Sequence, residues 1–306
     1  LRPGKLDHRT NAVERLIALS NGKDTSKRFD MLCTGPLTNL ATALNLMNRE
    51  QRSCFWAQCD RCVVMGGGFG SQGNITHSAE FNAFFDPVAM QMVLDFAKDA
   101  RPPSRPEERK IHFVPLDSTE TVAISLAKQS SKAKPDNVAK FLFYALQQYG
   151  EFHAFHCKRP DEAPAFGIKA FDEEAYVRSQ LGGSAGGSKL NKFCYLHDPL
   201  AAWVLLNWGG ACDFWQEAEI RVDTGRGDSR GRIIHCASKL GSAGPVRPIE
   251  LGTRVKWLDL PMGGAEASTF RREFVTEVAK LLCLPVEETV EPARKRCPLP
   301  GPEESR

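Results

Sequence analysis

The sequence predicts an α/β fold: a mostly parallel β-sheet with helices on both faces. Three observations predict it. Short, continuously apolar runs recur at Met31–Cys33, Cys62–Met65 and Ile111–Leu116. Amphipathic helical patterns separate them. Each run ends in a turn: Thr34-Gly35-Pro36, Gly66-Gly67-Gly68 or Asp117-Ser118-Thr119. Strands that are apolar on both faces and alternate with helices belong in a parallel sheet buried between helical layers. Ligand-binding loops in such sheets gather beyond the carboxyl ends of the strands, which is where these three turns lie.

The elements follow in order. Residues 1–10 read as loop. Val13, Leu16, Ile17 and Leu19 share overlapping helical faces over about 11–19. Met31-Leu32-Cys33 is a buried strand, and the next helix carries Leu37, Leu40, Leu44 and Met47 at helical spacing. Pro36 suits the first helical position, where its missing N–H costs nothing. After Cys62–Met65 comes a long polar loop, then a helix opening at Asp86-Pro87 with Val88, Met92 and Phe96 on one face. Ile111–Leu116 is the third strand, and a mainly helical stretch is expected over about 137–155. A mixed segment over 158–192 ends in the tract Gly182–Ser188 and reads as a flexible insertion. A helix follows His197-Asp198-Pro199 and runs through Leu206. Ala218, Ile220 and Val222 alternate with Glu219 and Arg221 as in a half-exposed strand. Arg232–His235 and Val255–Leu258 add two more strands. A last helix over about 268–282 turns Phe270, Phe274, Val278 and Leu281 inward. The expected organisation is one domain over 1–285 and a disordered tail over 286–306.

Of 306 residues, 42% are hydrophobic and 25% charged, an ordinary globular balance. With 40 basic and 37 acidic residues the net charge is +3, which points to no nucleic-acid partner. The basic run Arg294-Lys295-Arg296 lies in the Pro- and Glu-rich tail and reads as solvated. No stretch approaches the roughly 20 apolar residues that span a bilayer, so no membrane partner is expected. The ten cysteines are scattered, some inside apolar runs, as buried thiols of a reducing compartment are. The expected location is cytoplasmic. Cys54, Cys59 and Cys62 resemble part of a metal knuckle but lack a second pair nearby. The chain opens at Leu1 and not at Met, so its natural N-terminus is expected upstream.

Four segments could carry chemistry, and each also has a structural reading. Thr34–Asn39 fits an ordinary strand-to-helix turn. Gly66-Gly67-Gly68 lets a ligand approach the backbone closely, and the loop continues through Asn74 to Glu80 and Asn82. If that stretch is extended, Glu80 and Asn82 point to one side, where a carboxylate beside amides grips a polyhydroxylated ligand. The same loop could instead be capped on itself. His197-Asp198-Pro199 fits a helix cap, as Asp86-Pro87 does. The histidine, however, could protonate a leaving group, and the aspartate could hold a hard cation. Asp117, in Asp117-Ser118-Thr119, is expected to support the site and not to catalyse.

Together and in this order, TGPLTNLA from Thr34, VVMGGG from Val63, GNITHSAEFNAFFDP from Gly73, LDST from Leu116 and HDP from His197 resemble the inosine–uridine-preferring nucleoside hydrolase family. The resemblance runs from about Met31 to Leu282. It implies an α/β core, a calcium ion (Ca2+) bound in an open cavity, and hydrolysis of ribonucleosides to base and ribose in salvage or catabolism. By resemblance, the Thr34 carbonyl and the Asp198 carboxylate bind the calcium. Asn74 and Glu80 hold the ribose 5′-hydroxyl, Asn82 holds the 3′-hydroxyl, and Met65 lines the sugar pocket. His197 is the catalytic proton donor to the departing base, and base specificity is broad. The partner is a small-molecule ribonucleoside, and a homo-oligomer (dimer or tetramer) is expected.

One family motif does not appear in these residues: the Asp-rich loop of the form D-T-D-P-G-x-D-D. That loop supplies further calcium carboxylates and the general base. Lys5-Leu6-Asp7-His8 has neither its spacing nor a preceding strand. The sequence thus reads as a nucleoside hydrolase-like fold lacking the first strand–helix units. It is either a fragment of an enzyme or a truncated paralogue that binds nucleosides, ribose or another protein. As it stands, the chain is expected to bind calcium poorly and to turn over little, which a calcium titration checks.

Overall fold

The computed structural model describes residues 11–20, 28–99, 111–125, 145, 193–236, 252–261 and 263–281. In chain order the elements are α1 (Ala12–Ser20), β1 (Phe29–Cys33), α2 (Thr38–Leu46), α3 (Arg49–Gln58), β2 (Cys59–Met65), α4 (Phe81–Phe85), α5 (Pro87–Asp99), β3 (Ile111–Val114), α6 (Leu116–Thr119), β4 (Ala123–Ser125), β5 (Phe193–Tyr195), α7 (His197–Leu206), a 3-10 helix (Trp208–Phe214), β6 (Trp215–Val222), β7 (Ile233–His235), β8 (Thr253–Leu258) and α8 (Ala265–Leu281). The expected helix over 137–155, the insertion over 158–192 and the tail over 286–306 lie outside the described residues.

The described residues divide between two compact units: those up to Thr121 together with His197–Phe270, and the remainder. The first unit carries the main sheet, with strand order β1-β2-β3-β8-β6-β7. β1, β2, β3 and β8 run parallel, while β6 and β7 add an antiparallel flank. In the second unit, β4 and β5 pair antiparallel, and α8 contributes its residues from Arg271 onward.

β2 and β3 show why the central strands read as unbroken apolar runs. Cys62, Val64, Ile111 and Phe113 join the core that α2, α3 and α5 cover. Val63 and Val114, which alternate with them, are equally buried, and α7 packs on β1 and β2. A strand covered on both faces has no side chain to spare for water. In α2, Leu37, Leu40, Leu44 and Met47 are all buried, as their spacing predicts. Each fully buried Leu stabilises by roughly 1.5–3 kcal/mol.

Several local expectations change. α2 starts at Thr38 with Leu37 at its cap, so Pro36 precedes the helix instead of opening it. α3 follows almost at once. Its start is a capping box in which the Asn48 side chain accepts from Gln51 N–H and the Gln51 side chain accepts from Asn48 N–H. Cys54 sits on this helix beside Gln58, whereas Cys59 and Cys62 belong to β2, so the three form no knuckle. On α5 the buried face is Ala89, Met90, Val93 and Leu94, while Val88 is 47% exposed. Met92 and Phe96 flank the core edge. Phe270 and Phe274 are buried as expected, but Leu281, at the last turn of α8, is 74% exposed.

Candidate active site

The site grows from the carboxyl ends of β1 and β2. These strands are neighbours in parallel register, with Cys33 beside Val64. The residue after β1, Thr34, and the last residue of β2, Met65, therefore emerge side by side. One amide joins them: Asn82 Nδ2 donates to the Met65 carbonyl at 3.1 Å and to the Thr34 carbonyl at 3.5 Å. The Met65 sulfur lies 3.5 Å from the same nitrogen.

Beyond Met65 the backbone turns sharply. Gly67 has φ 77°, a conformation that favours glycine. The turn is pinned to β3, because Leu116 N–H donates to the Gly67 carbonyl at 3.0 Å. Gly66 has a separate reason to lack a side chain: an added Cβ would lie 3.2 Å from Glu80 Oε2.

Glu80 and Asn82 were expected to share a side as alternate residues of an extended stretch. They do converge, for a different reason. Residues 81–85 form the short helix α4, and Glu80 is its N-cap. Its Oε1 accepts from Asn82 N–H at 2.8 Å. Its Oε2 accepts from Ala83 N–H at 3.1 Å and from Gly67 N–H at 2.9 Å. Asn74 Oδ1 takes the remaining N–H of the first turn, that of Phe81, at 2.8 Å. The N–H groups of the first three residues of α4 are thereby satisfied by side chains of the preceding loop.

The cap leaves definite chemistry. Among the described residues no partner is seen for Asn74 Nδ2 or for Asn82 Oδ1. Glu80 is 2% exposed, and burial raises its carboxyl pKa. Its three backbone donors work against that rise, and the nearby Asp198 carboxylate adds to it. The Asp198 charge is the smallest of the influences on Glu80. The Asp198 carboxyl pKa is also raised by desolvation. The neighbouring His197 is buried, and its Nδ1 lies 2.6 Å from Thr119 Oγ1. Asp117 Oδ2 accepts from Phe69 N–H at 2.7 Å and from Ser71 Oγ at 3.2 Å, which ties down the loop after β2.

Thr34, Met65, Glu80 and Asn82 are thus joined by direct hydrogen bonds and Asn74 through α4, whereas no hydrogen bond among the described residues joins Asp198 to them. His197 arrives with Asp198 but is tied to Thr119. That threonine belongs to the LDST motif, where only the aspartate stood out by residue type. Its position one turn beyond the end of β3 was the signal that could have found it.

The donors toward a cation are oxygens, the Thr34 carbonyl and the Asp198 carboxylate, a set that suits calcium in kind. They are two of the roughly six to eight oxygens that calcium takes. Among the described residues, no three His, Cys, Asp or Glu side chains converge to hold a metal ion by themselves. Cys62 is held protonated by its hydrogen bond with Cys33 and by burial, and Cys59 by burial.

The model of the inosine-uridine preferring nucleoside hydrolase family matches residues 2–258. A probable uridine nucleosidase 2 of Oryza sativa subsp. japonica is 30% identical over 147 residues, covering 47% of this chain and 39% of that protein. The inosine-uridine preferring nucleoside hydrolase of Crithidia fasciculata is 30% identical over 150 residues, covering 49% of this chain and 42% of that protein. The matched part of the chain thus spans about two fifths of the length of these relatives. Among solved structures, a plant nucleoside hydrolase superposes with a TM-score of 0.59 at 20% identity. That superposition covers 92% of this chain and 70% of that one and shows the shared fold.

Proposed function

The chain belongs to the inosine-uridine preferring nucleoside hydrolase family, and from that premise we propose that it serves a calcium-dependent hydrolase. The reaction cleaves the N-glycosidic bond of ribonucleosides to free base and ribose, in salvage or catabolism. The observation that carries this reading is the joining of the carboxyl ends of β1 and β2 by Asn82, whose backbone N–H is in turn held by Glu80.

The chemistry asks for charge stabilisation at two places. Breaking the ribosyl C–N bond builds positive charge on the sugar and negative charge on the base. His197 relieves the second by giving the departing base a proton. Carboxylate and amide oxygens around the ribose favour the first. Asn82 Oδ1 accepts from the 3′-hydroxyl, Asn74 and Glu80 hold the 5′-hydroxyl, and Met65 lines the sugar. Contacts with hydroxyls remote from the breaking bond supply orientation. The Thr34 carbonyl and the Asp198 carboxylate would hold one side of the calcium, with ribose hydroxyls and further oxygens completing its shell. When bound, the ion orients sugar and water and lowers the pKa of that water. A homo-oligomeric state, dimer or tetramer, and a cytoplasmic location belong to the same reading.

The test compares inosine, guanosine, uridine and cytidine as substrates of the whole protein and its His197→Ala variant. Turnover of the purine nucleosides should fall by roughly 100- to 10,000-fold. Unchanged turnover on all four would remove His197 from the mechanism.

A further inference from the structure

The motif Asp117-Ser118-Thr119 is only partly accounted for by a supporting aspartate. Its three side chains are buried and clamp three different elements. Asp117 holds the loop at Phe69 and Ser71. Ser118 Oγ donates to the Leu258 carbonyl at 2.5 Å and accepts from Leu260 N–H at 3.2 Å, fastening α6 to the end of β8. Thr119 reaches His197 Nδ1 at 2.6 Å. The hydroxyl that meets the imidazole therefore stands on a rigid base. Thr119 N–H donates to the Pro115 carbonyl at 3.0 Å, and Thr121 Oγ1 donates to the Ser118 carbonyl at 2.7 Å.

We propose that Thr119 is the positioning residue for His197, its hydroxyl fixing the ring's orientation and tautomer so that proton exchange with the leaving base runs through Nε2. The inference rests on the reading of His197 as proton donor. A neutral imidazole carries its proton on one nitrogen only, and the partner of the other nitrogen decides which. Thr119 is fully buried and His197 is 7% exposed, so water does not compete freely for Nδ1. The proton comes from the imidazolium, because the neutral ring would have to become an imidazolate; with Nδ1–H held on Thr119 Oγ1 the Nε2 proton is the one transferred, and the ring left is the neutral Nδ1–H tautomer.

The test uses the chain with 15N-labelled histidine rings near pH 8.5, above the ordinary imidazole pKa. The His197 signals are identified by their loss in His197→Gln. Wild type and Thr119→Ser should show one protonated and one unprotonated ring nitrogen. Thr119→Val, close in size but without the hydroxyl, should show the two shifts drawn together by mixed tautomers. In turnover, Thr119→Val should lower kcat for inosine roughly 10- to 100-fold with KM within about 3-fold. A riboside with a p-nitrophenolate leaving group departs without a proton, and its turnover should change by no more than about 3-fold. Thr119→Ser should restore inosine turnover.

An unchanged tautomer in Thr119→Val would overturn the proposal. So would a loss in Thr119→Ser as large as that in Thr119→Val, or equal losses on both substrates. If His197→Gln leaves inosine turnover intact, the proton-donor reading falls and takes the catalytic role of Thr119 with it. If His197→Gln abolishes turnover while Thr119→Val changes neither tautomer nor kcat, only the positioning role falls.

Discussion

Two helices of this protein carry the same dipeptide near their start and put it to different use: Asp86 lies just before α5, whereas Asp198 is the second residue of α7. At Asp86-Pro87 both carboxylate oxygens are occupied within the scaffold. Oδ1 accepts from Ala89 N–H at 3.0 Å, and Oδ2 accepts from Thr38 Oγ1 at 2.6 Å. At Asp198-Pro199 no hydrogen bond is seen on the carboxylate among the described residues. It remains more than one-third accessible, and its pKa is raised by desolvation. A carboxylate whose lone pairs are already satisfied is a cap. One whose pKa is raised by desolvation, with no donor seen among the described residues, fits the cation-binding role proposed for Asp198. The comparison teaches that an Asp-Pro helix start reveals its role only through what its oxygens meet.

The largest expected effect sharpens that contrast. Asp198→Asn should cut nucleoside turnover by roughly 100-fold or more, equivalent to about 2.7 kcal/mol of transition-state stabilisation. It should not lower the stability of the calcium-free protein. Steady-state kinetics beside urea denaturation decides this, and a stability loss matching the activity loss would make Asp198 a cap like Asp86.

The second effect is smaller and opposite in kind. Asp86→Ala should cost about 1 kcal/mol of stability through the lost cap, measured as a shift in urea midpoint, with turnover of the folded protein unchanged. A selective loss of activity would break the comparison from the other side.

The smallest effect is in pH. Glu80 and Asp198 both have raised carboxyl pKa values, set chiefly by burial. Between the ordinary carboxylate range and those raised values, the folded state binds more protons than the unfolded state, so stability falls as pH rises through that window. Urea titrations of the calcium-free chain should show this decline, and Asp198→Asn should flatten it. A steeper decline in the variant would reverse the sign assigned to Asp198.

The fold was legible where a single rule governs the residue. Cys62–Met65 and Ile111–Leu116 read as strands because no polar residue but His112 interrupts them, and the structure starts the first at Cys59 and ends the second at Val114. The site was half legible. Glu80 and Asn82 were identified as partners, but through an extended stretch that does not exist. The strength of Glu80 as a cap for three backbone donors outweighs the apparent alternation. α3 was passed over because its composition is polar, although Asn48 and Gln51 spelled its capping box. On α5, Val88, Met92 and Phe96 do share a helical stripe, but the stripe one position further on meets the sheet. Periodicity gives the existence of a face, while its direction depends on what lies opposite.

By itself, then, the sequence determined the alternation of strands and helices, the turns at the strand ends and the family to which the chain belongs, but not the burial of β1, where Leu32 is 38% exposed. These follow from side-chain type and spacing along one segment. Only the tertiary structure decided that one amide of Asn82 joins two strand ends, that Asp86 is held by Thr38 and Ala89, and that His197 answers to a threonine 78 positions away. Each of those facts is a contact between distant segments. The physical reason is that a polar group's role is set by its partners and by its access to water, and neither is encoded locally.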